Sequence, residues 1–206
     1  VSAKRTGQVG AVLLAAGVSR RMGGPNKLLL AIEGEPLVRR AARTLLASKL
    51  GEIIVVLGHQ SEAVAKALEG LDLRHVVNPD YAQGQASSVR VGVEALGDSL
   101  RGIMVCLADQ PSLTPADIDF LIEAFSTRAL GRILVPVRQG QRGNPVVFDA
   151  AFRPRILAED LNFGCRRLME RHPDLVVTVE APSDHFLRDV DTIDDAAALA
   201  AASTIR

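Results

Sequence analysis

Tryptophan is absent from this chain of 206 residues, tyrosine occurs once and phenylalanine six times. Aromatics at 3% exclude the base-stacking platform that single-stranded nucleic acid needs. Cysteine occurs only as Cys106 and Cys165, so no disulfide framework staples the fold. Neither Cys-x-x-Cys nor paired-histidine spacing is present, which leaves a structural zinc site without ligands. Excess charge of one sign is missing too: 24 Lys and Arg face 24 Asp and Glu. That balance excludes a nucleic-acid binder recognised by charge and an acidic disordered tail. Long apolar runs are lacking as well. The N-terminal run is broken by Gly17, Ser19, Arg20 and Arg21, so neither a signal segment nor a membrane span is expected. A reducing, cytoplasmic setting with no nucleic acid and no membrane is the expectation that follows.

What the chain does have is 48% hydrophobic residues, enough to bury a core without metal or disulfide. No composition break or internal repeat divides it, so a single domain over 1–206 is expected. Short apolar runs alternate with segments of helical spacing. Strands are predicted at 11–14, 53–57, 73–77, 103–107, 133–137, 145–148 and 175–179. Helices are predicted at 36–46, 61–68, 86–96, 114–125, 152–159, 164–171 and 193–202. Strands separated by helices predict an α/β fold with a mainly parallel central sheet. The polar link 138–144 reads as a mobile loop, and the less regular sequence after Gly140 as a subdomain covering a site.

The richest segment follows the first strand: Leu14-Ala15-Ala16-Gly17-Val18-Ser19-Arg20-Arg21-Met22-Gly23-Gly24-Pro25-Asn26-Lys27. Open α/β sheets bind ligands at the carboxyl ends of their strands. Ala15, Ala16 and Gly17 let a ligand approach the backbone closely, and Gly23 and Gly24 reach conformations closed to other residues. Arg20, Arg21 and Lys27 add three cations, which together with backbone N–H groups make a phosphate cradle. It is not a Walker A loop, because Lys27 is followed by Leu28. It is not a dinucleotide fingerprint, because Ser19 stands where the second glycine falls.

Two acidic places follow. Asp109, in Leu107-Ala108-Asp109-Gln110-Pro111, leaves a buried strand at a turn, where it either holds a divalent metal or serves the turn itself. In Asp189-Val190-Asp191-Thr192-Ile193-Asp194-Asp195, alternation on an extended segment puts Asp189 and Asp191 on one side. Thr192 is a candidate helix cap with Asp194 and Asp195 in the first turn. In Asn78 to Arg90, Gly84 relieves crowding, and Ser87 and Ser88 are free to cap a helix or to meet a ligand. Of the four histidines, only His185 lies near an acidic cluster.

The string Leu-Ala-Ala-Gly-x-Ser-x-Arg-Met-Gly followed by Lys27 resembles the signature of the nucleotidyltransferases related to molybdenum cofactor guanylyl- and cytidylyltransferases. The resemblance runs from about Gly10 to Asp195. It implies a Rossmann-like three-layer α/β/α fold of the nucleotide-diphospho-sugar transferase type. It implies that the loop residues Leu14, Ala15, Ala16, Gly17, Ser19, Arg20 and Gly23 wrap a nucleoside triphosphate, with Gly84 and Ser88 bordering it. Arg21 and Lys27 match the family's phosphate-contacting arginine and lysine, and Arg20 a variable position. Asp109 matches the Asp-x-Pro metal ligand and Asp191, in preference to Asp189, the second carboxylate for Mg²⁺. Arg142-Gly143-Asn144-Pro145 is similar to the segment facing the acceptor, whereas Asn162 replaces an expected acid.

The implied reaction moves CMP from CTP to molybdopterin with loss of pyrophosphate, Lys27, Arg21 and Asp109 being catalytic. Leu-Ala-Ala-Gly and Asp-Gln-Pro resemble the cytidylyl branch. GTP in place of CTP, a non-catalytic molybdopterin chaperone for a molybdenum hydroxylase client, and an NAD(P)H-dependent oxidoreductase on the same scaffold are the alternatives.

Overall fold

The structure is a computed structural model that describes residues 8–19, 26–128, 130–158, 165–192 and 195. Ten strands and six α-helices occur among these. The strands are β1 (Val9–Ala15), β2 (Ala31–Ile32), β3 (Glu35–Pro36), β4 (Glu52–Leu57), β5 (Arg74–Val77), β6 (Gly102–Leu107), β7 (Ile133–Arg138), β8 (Gln141–Arg142), β9 (Val146–Asp149) and β10 (Val176–Glu180). The helices are α1 (Leu37–Leu46), α2 (Ser61–Ala67), α3 (Gln85–Ala95), α4 (Pro115–Arg128), α5 (Arg153–Ala158) and α6 (Cys165–Arg171). The helix predicted at 193–202 lies outside the described residues apart from Asp195.

The main sheet runs β10-β7-β9-β6-β1-β4-β5, with β8 paired to β7. β1, β4, β5 and β6 are mutually parallel, as are β7 and β10; β9 runs antiparallel to both β6 and β7. Alternation along β1 explains the layers. Ala11, Leu13 and Ala15 join one apolar cluster, with Val38 and Leu45 of α1, Val64 of α2 and Leu121 of α4. Val12 and Leu14 join the other, with Val89 and Val93 of α3 and Leu168 of α6. Helices on both faces let the central strands be apolar at every position, as β1 is. This is the three-layer α/β/α architecture that the sequence implies.

The subdomain expected after Gly140 is not separate. β9 inserts into the main sheet between β6 and β7, and β10 pairs β7. The link 138–144 is a hairpin rather than a loose loop. Val137 pairs with Arg142, Arg138 with Gln141, and Gly143 N–H donates to Pro136 O. Its two central residues, Gln139 (φ 52°) and Gly140 (φ 79°), are both left-handed, which matches the twist of the flanking strands. Pro36 lies just outside α1 with φ −57° and ψ 142°, one step before the predicted first turn.

Candidate active site

Strand order reverses at β1. The chain builds β1, β4 and β5 outward in one direction, then returns to place β6 on the other side of β1. The helix of the return crossing, α3, lies on the face opposite α1 and α2. The segments leaving β1 and β6 therefore part at their carboxyl ends, where open α/β sheets take ligands. Leu14 and Leu107 are paired there, and both border a cavity of about 560 Å³.

Gly17 and Ser19 from the segment after β1, Lys27, Asp109 after β6 and Asp191 from the C-terminal segment also line it. Tyr81, Gly84, Gln85 and Ser88 close the side toward α3. Gly84 has φ +115°, a value that side chains seldom adopt, and it turns the chain into α3. Gly58 lets Tyr81 pack close: a Cβ there would stand 2.7 Å from both the Ala16 and Tyr81 Cβ atoms.

Lys27 is the hub. Its Nζ donates to Asp109 Oδ2 at 2.6 Å and to Asp191 Oδ1 at 3.1 Å. The local chain builds this position. Buried Asn26 accepts the Leu28 N–H on Oδ1, which caps the short 3-10 turn Lys27–Leu29. Ser19 Oγ accepts the Lys27 N–H, tying the two ends of the glycine-rich segment together. Asp191 arrives because Val190 N–H donates to Asp109 O at 2.8 Å and the Val190 side chain is buried with Ile32 and Leu37. Thr192 and Asp195 hold the next turn by reciprocal bonds, Thr192 N–H to Asp195 Oδ2 and Asp195 N–H to Thr192 Oγ1.

Electrostatics follow from this packing. Burial alone would lower the Lys27 pKa, but its bonds and charge attraction to Asp109, then Asp191, outweigh it and hold the ammonium above the usual lysine range. Burial pushes the Asp189 carboxyl up, and the charges on Asp191 and Asp109 add to this. The Thr192 hydroxyl and backbone, with the Asp191 N–H, hold the Asp195 carboxyl below its ordinary value.

The Asp109 Oδ1 atom is buried and has no hydrogen-bond partner. An orphaned carboxylate oxygen beside a second carboxylate fits a hard cation such as Mg²⁺, which takes one or two carboxylates and completes its shell with water and phosphate. Among the described residues no group of three or more His, Cys, Asp or Glu is arranged to hold a metal by itself. The donor set therefore suits an ion that arrives with phosphate.

Of the loop residues, Leu14, Ala16, Gly17 and Ser19 line the cavity. Ala15 does not: its methyl is buried on the other face of the sheet, among the cluster that includes Leu13 and Leu57. Arg20, Arg21 and Gly23 lie outside the described residues. Sequence reasoning did not single out Tyr81 or Gln85; the signal was that Tyr81 is the chain's one tyrosine and precedes a glycine-broken turn. His185 has another role. Its Nδ1 stands 2.9 Å from Asp117 Oδ2, which also accepts from Thr114, so it joins the start of α4 to the C-terminal segment.

A second cavity of about 620 Å³ adjoins the first, sharing Gln85 and Leu107. Val105, Val135, Val146 and Met169 give it apolar walls, and Arg142, Asn144 and Glu170 give it polar groups.

Proteins similar to this chain carry different names. The chain is 33% identical over 189 residues to the nicotine blue oxidoreductase of Paenarthrobacter nicotinovorans, covering 89% of this chain and 92% of that protein. It is 29% identical to a probable molybdenum cofactor guanylyltransferase of Natronomonas pharaonis, covering 92% of this chain and 86% of that protein. It is also 29% identical to the molybdenum cofactor cytidylyltransferase of Escherichia coli, covering 89% and 91%. Among solved structures, the Mycobacterium tuberculosis rv0371c homologue from Mycobacterium sp. strain JC1 superposes with a TM-score of 0.83 at 27% identity, covering 96% of this chain and 97% of that one. A nucleotidyl transferase from Methanothermobacter thermautotroptrophicus gives 0.80 at 25%, covering 95% and 97%. Residues 11–176 match the MobA-like NTP transferase domain, from the first strand through the start of the last, and the chain belongs to that family.

Proposed function

We propose that this chain moves CMP from CTP to the phosphate of molybdopterin, with loss of pyrophosphate and in dependence on Mg²⁺, as a step of molybdenum cofactor biosynthesis. The observation that carries this reading is the Lys27 ammonium held between Asp109 and Asp191 on a cavity at the switch point of the sheet. An oxygen of the acceptor phosphate forms a bond to the α-phosphorus in line with the leaving oxygen. The bond from that phosphorus to the bridging oxygen breaks, and pyrophosphate departs with the electron pair.

The acceptor phosphate is already ionised, so no general base is required. Positioning and charge neutralisation are the protein's work. Lys27 neutralises charge on the transferring group and Arg21 binds the outer phosphates. Asp109 binds Lys27 through Oδ2, so its unpartnered Oδ1 would hold the ion, with Asp191 as the second carboxylate. When bound, Mg²⁺ supplies Lewis acidity and a fixed positive charge at the phosphates. The neighbouring cavity, with its Arg142 and Asn144, suits the acceptor.

The cytidylyl choice rests on Leu-Ala-Ala-Gly and Asp-Gln-Pro; GTP with the same chemistry is the near alternative. A chaperone without chemistry has no use for the Lys27–Asp109 pair. Similarity to a protein named nicotine blue oxidoreductase favours a second reading, an NAD(P)H-dependent reaction in the same cavity. Ser19 in place of the second fingerprint glycine argues against it. Thermal stabilisation by CTP, GTP, ATP, UTP and NADH, each with and without Mg²⁺, separates these readings. A CTP-selective, Mg²⁺-dependent shift that weakens in Asp109→Ala is expected. A GTP-selective shift changes the product, and a shift with NADH alone overturns the transferase reading.

A further inference from the structure

Asn78 closes β5 and is buried to 1% exposure outside the cavity. Its Oδ1 accepts the Asp80 N–H at 3.0 Å, which fixes the amide so that Nδ2 faces α3. The two Nδ2 hydrogens go to Ser87 Oγ and Ser88 Oγ, each at 2.9 Å. Ser87 is then fully engaged, because its own proton goes to the carbonyl of Gly84 or Asp80. Ser88 differs. It is 4% exposed, it lines the cavity, and it accepts from Asn78. Its proton has no protein acceptor among the described residues.

A hydroxyl that accepts one hydrogen bond becomes a better donor, and an unsatisfied buried donor is costly. From this we infer that Asn78 is a positioning residue that sets the polarity of Ser88, so that the Ser88 proton points at the nucleoside part of the ligand and requires an acceptor atom there. The inference rests on the nucleotide reading of the cavity. It extends that reading to a residue that does not touch the ligand.

Replacing the amide by a carboxylate reverses the polarity. In Asn78→Asp the buried oxygen draws the Ser88 proton to itself and away from the cavity. The test measures the dissociation constants of CTP and of inorganic tripolyphosphate, which has no nucleoside, both with Mg²⁺. Asn78→Asp is expected to weaken CTP by tenfold or more and to leave tripolyphosphate within twofold. In a Ser88→Ala background the same change is expected to add nothing to the ratio of the two constants. Should Asn78→Asp fail to fold, Asn78→Ala frees the hydroxyl rotor and is expected to give a smaller loss of the same kind. Equal weakening of both ligands, or an undiminished effect in Ser88→Ala, overturns the inference and leaves the nucleotide reading standing. Wild-type protein that binds no nucleotide more tightly than tripolyphosphate overturns both.

Discussion

Lys27 holds together groups that otherwise repel, because Asp109 and Asp191 flank its ammonium and Asp189 is close enough to respond to both. Its side chain is 15% exposed and that of Asp109 is 18%, so water screens the pair only in part. Lys27→Met is therefore expected to destabilise the metal-free protein by about 1–3 kcal/mol, below the range for fully buried pairs. Mg²⁺ is expected to restore more of the melting temperature in Lys27→Met than it adds to wild type, since the ion relieves the same repulsion. An equal Mg²⁺ shift in both proteins would remove the carboxylates from the proposed metal site. The raised Lys27 pKa also fixes the sign of an alkaline effect. Its stabilisation is complete below the ordinary lysine value and is lost as pH rises through the higher folded value. In EDTA, the denaturant midpoint of wild type should fall more steeply above pH 10.5 than that of Lys27→Met.

Elements whose signal lies in local pattern were legible in the sequence; those decided by pairing were not. β1, β4 and β6 extend at most two residues past either end of the predicted apolar runs, because strands covered on both faces show themselves as continuous Val, Ile and Leu. The direction of β9 was not legible, since an apolar run is the same for either orientation. The β7–β8 hairpin hid behind polar residues, and half of its turn is a glutamine at φ 52°. In the site, the loop after β1, Asp109 and Asp191 were readable as motifs. So were Gly84 and Ser88, which line the cavity where α3 begins; Asn78, Tyr81 and Gln85 were not, because they acquire their roles only when β5 meets α3. The hairpin offers a test at this scale. Gly140 has φ +79° and borders the second cavity, so a β-branched residue there strains the turn. Gly140→Val is expected to cost about 1–2 kcal/mol in chemical denaturation. CTP affinity should stay within twofold of wild type, because the first cavity does not include this turn. A large loss of CTP affinity would mean that the two cavities act as one.

Across the whole molecule, Cys106 reports how nucleotide binding and folding are linked. It lies in β6, next to β1 at the centre of the sheet, is 2% exposed, and burial pushes its thiol far above the ordinary range. A protonated thiol packed between two helical layers does not react with alkylating reagents, because the thiolate is the nucleophile. Reaction requires that the strand leave the sheet. β6 cannot leave alone, since β1 and β9 are hydrogen-bonded to its two sides. In a Cys165→Ser background, alkylation of Cys106 is therefore expected to follow global unfolding, with a rate that depends on denaturant as the equilibrium transition does. A ligand that binds only the folded state then slows it by the factor 1 + [L]/Kd. CTP with Mg²⁺ at 100 times its dissociation constant is expected to slow labelling by roughly 100-fold, equivalent to about 2.7 kcal/mol. Because the Cys106 side chain does not line the cavity, Asp109→Ala should abolish the Mg²⁺-dependent part of this protection while leaving the denaturant dependence in place. Labelling that ignores both denaturant and ligand would show that β6 opens locally. The carboxyl end of β6, which leads directly to Asp109, would then be a moving part of the site rather than its fixed wall.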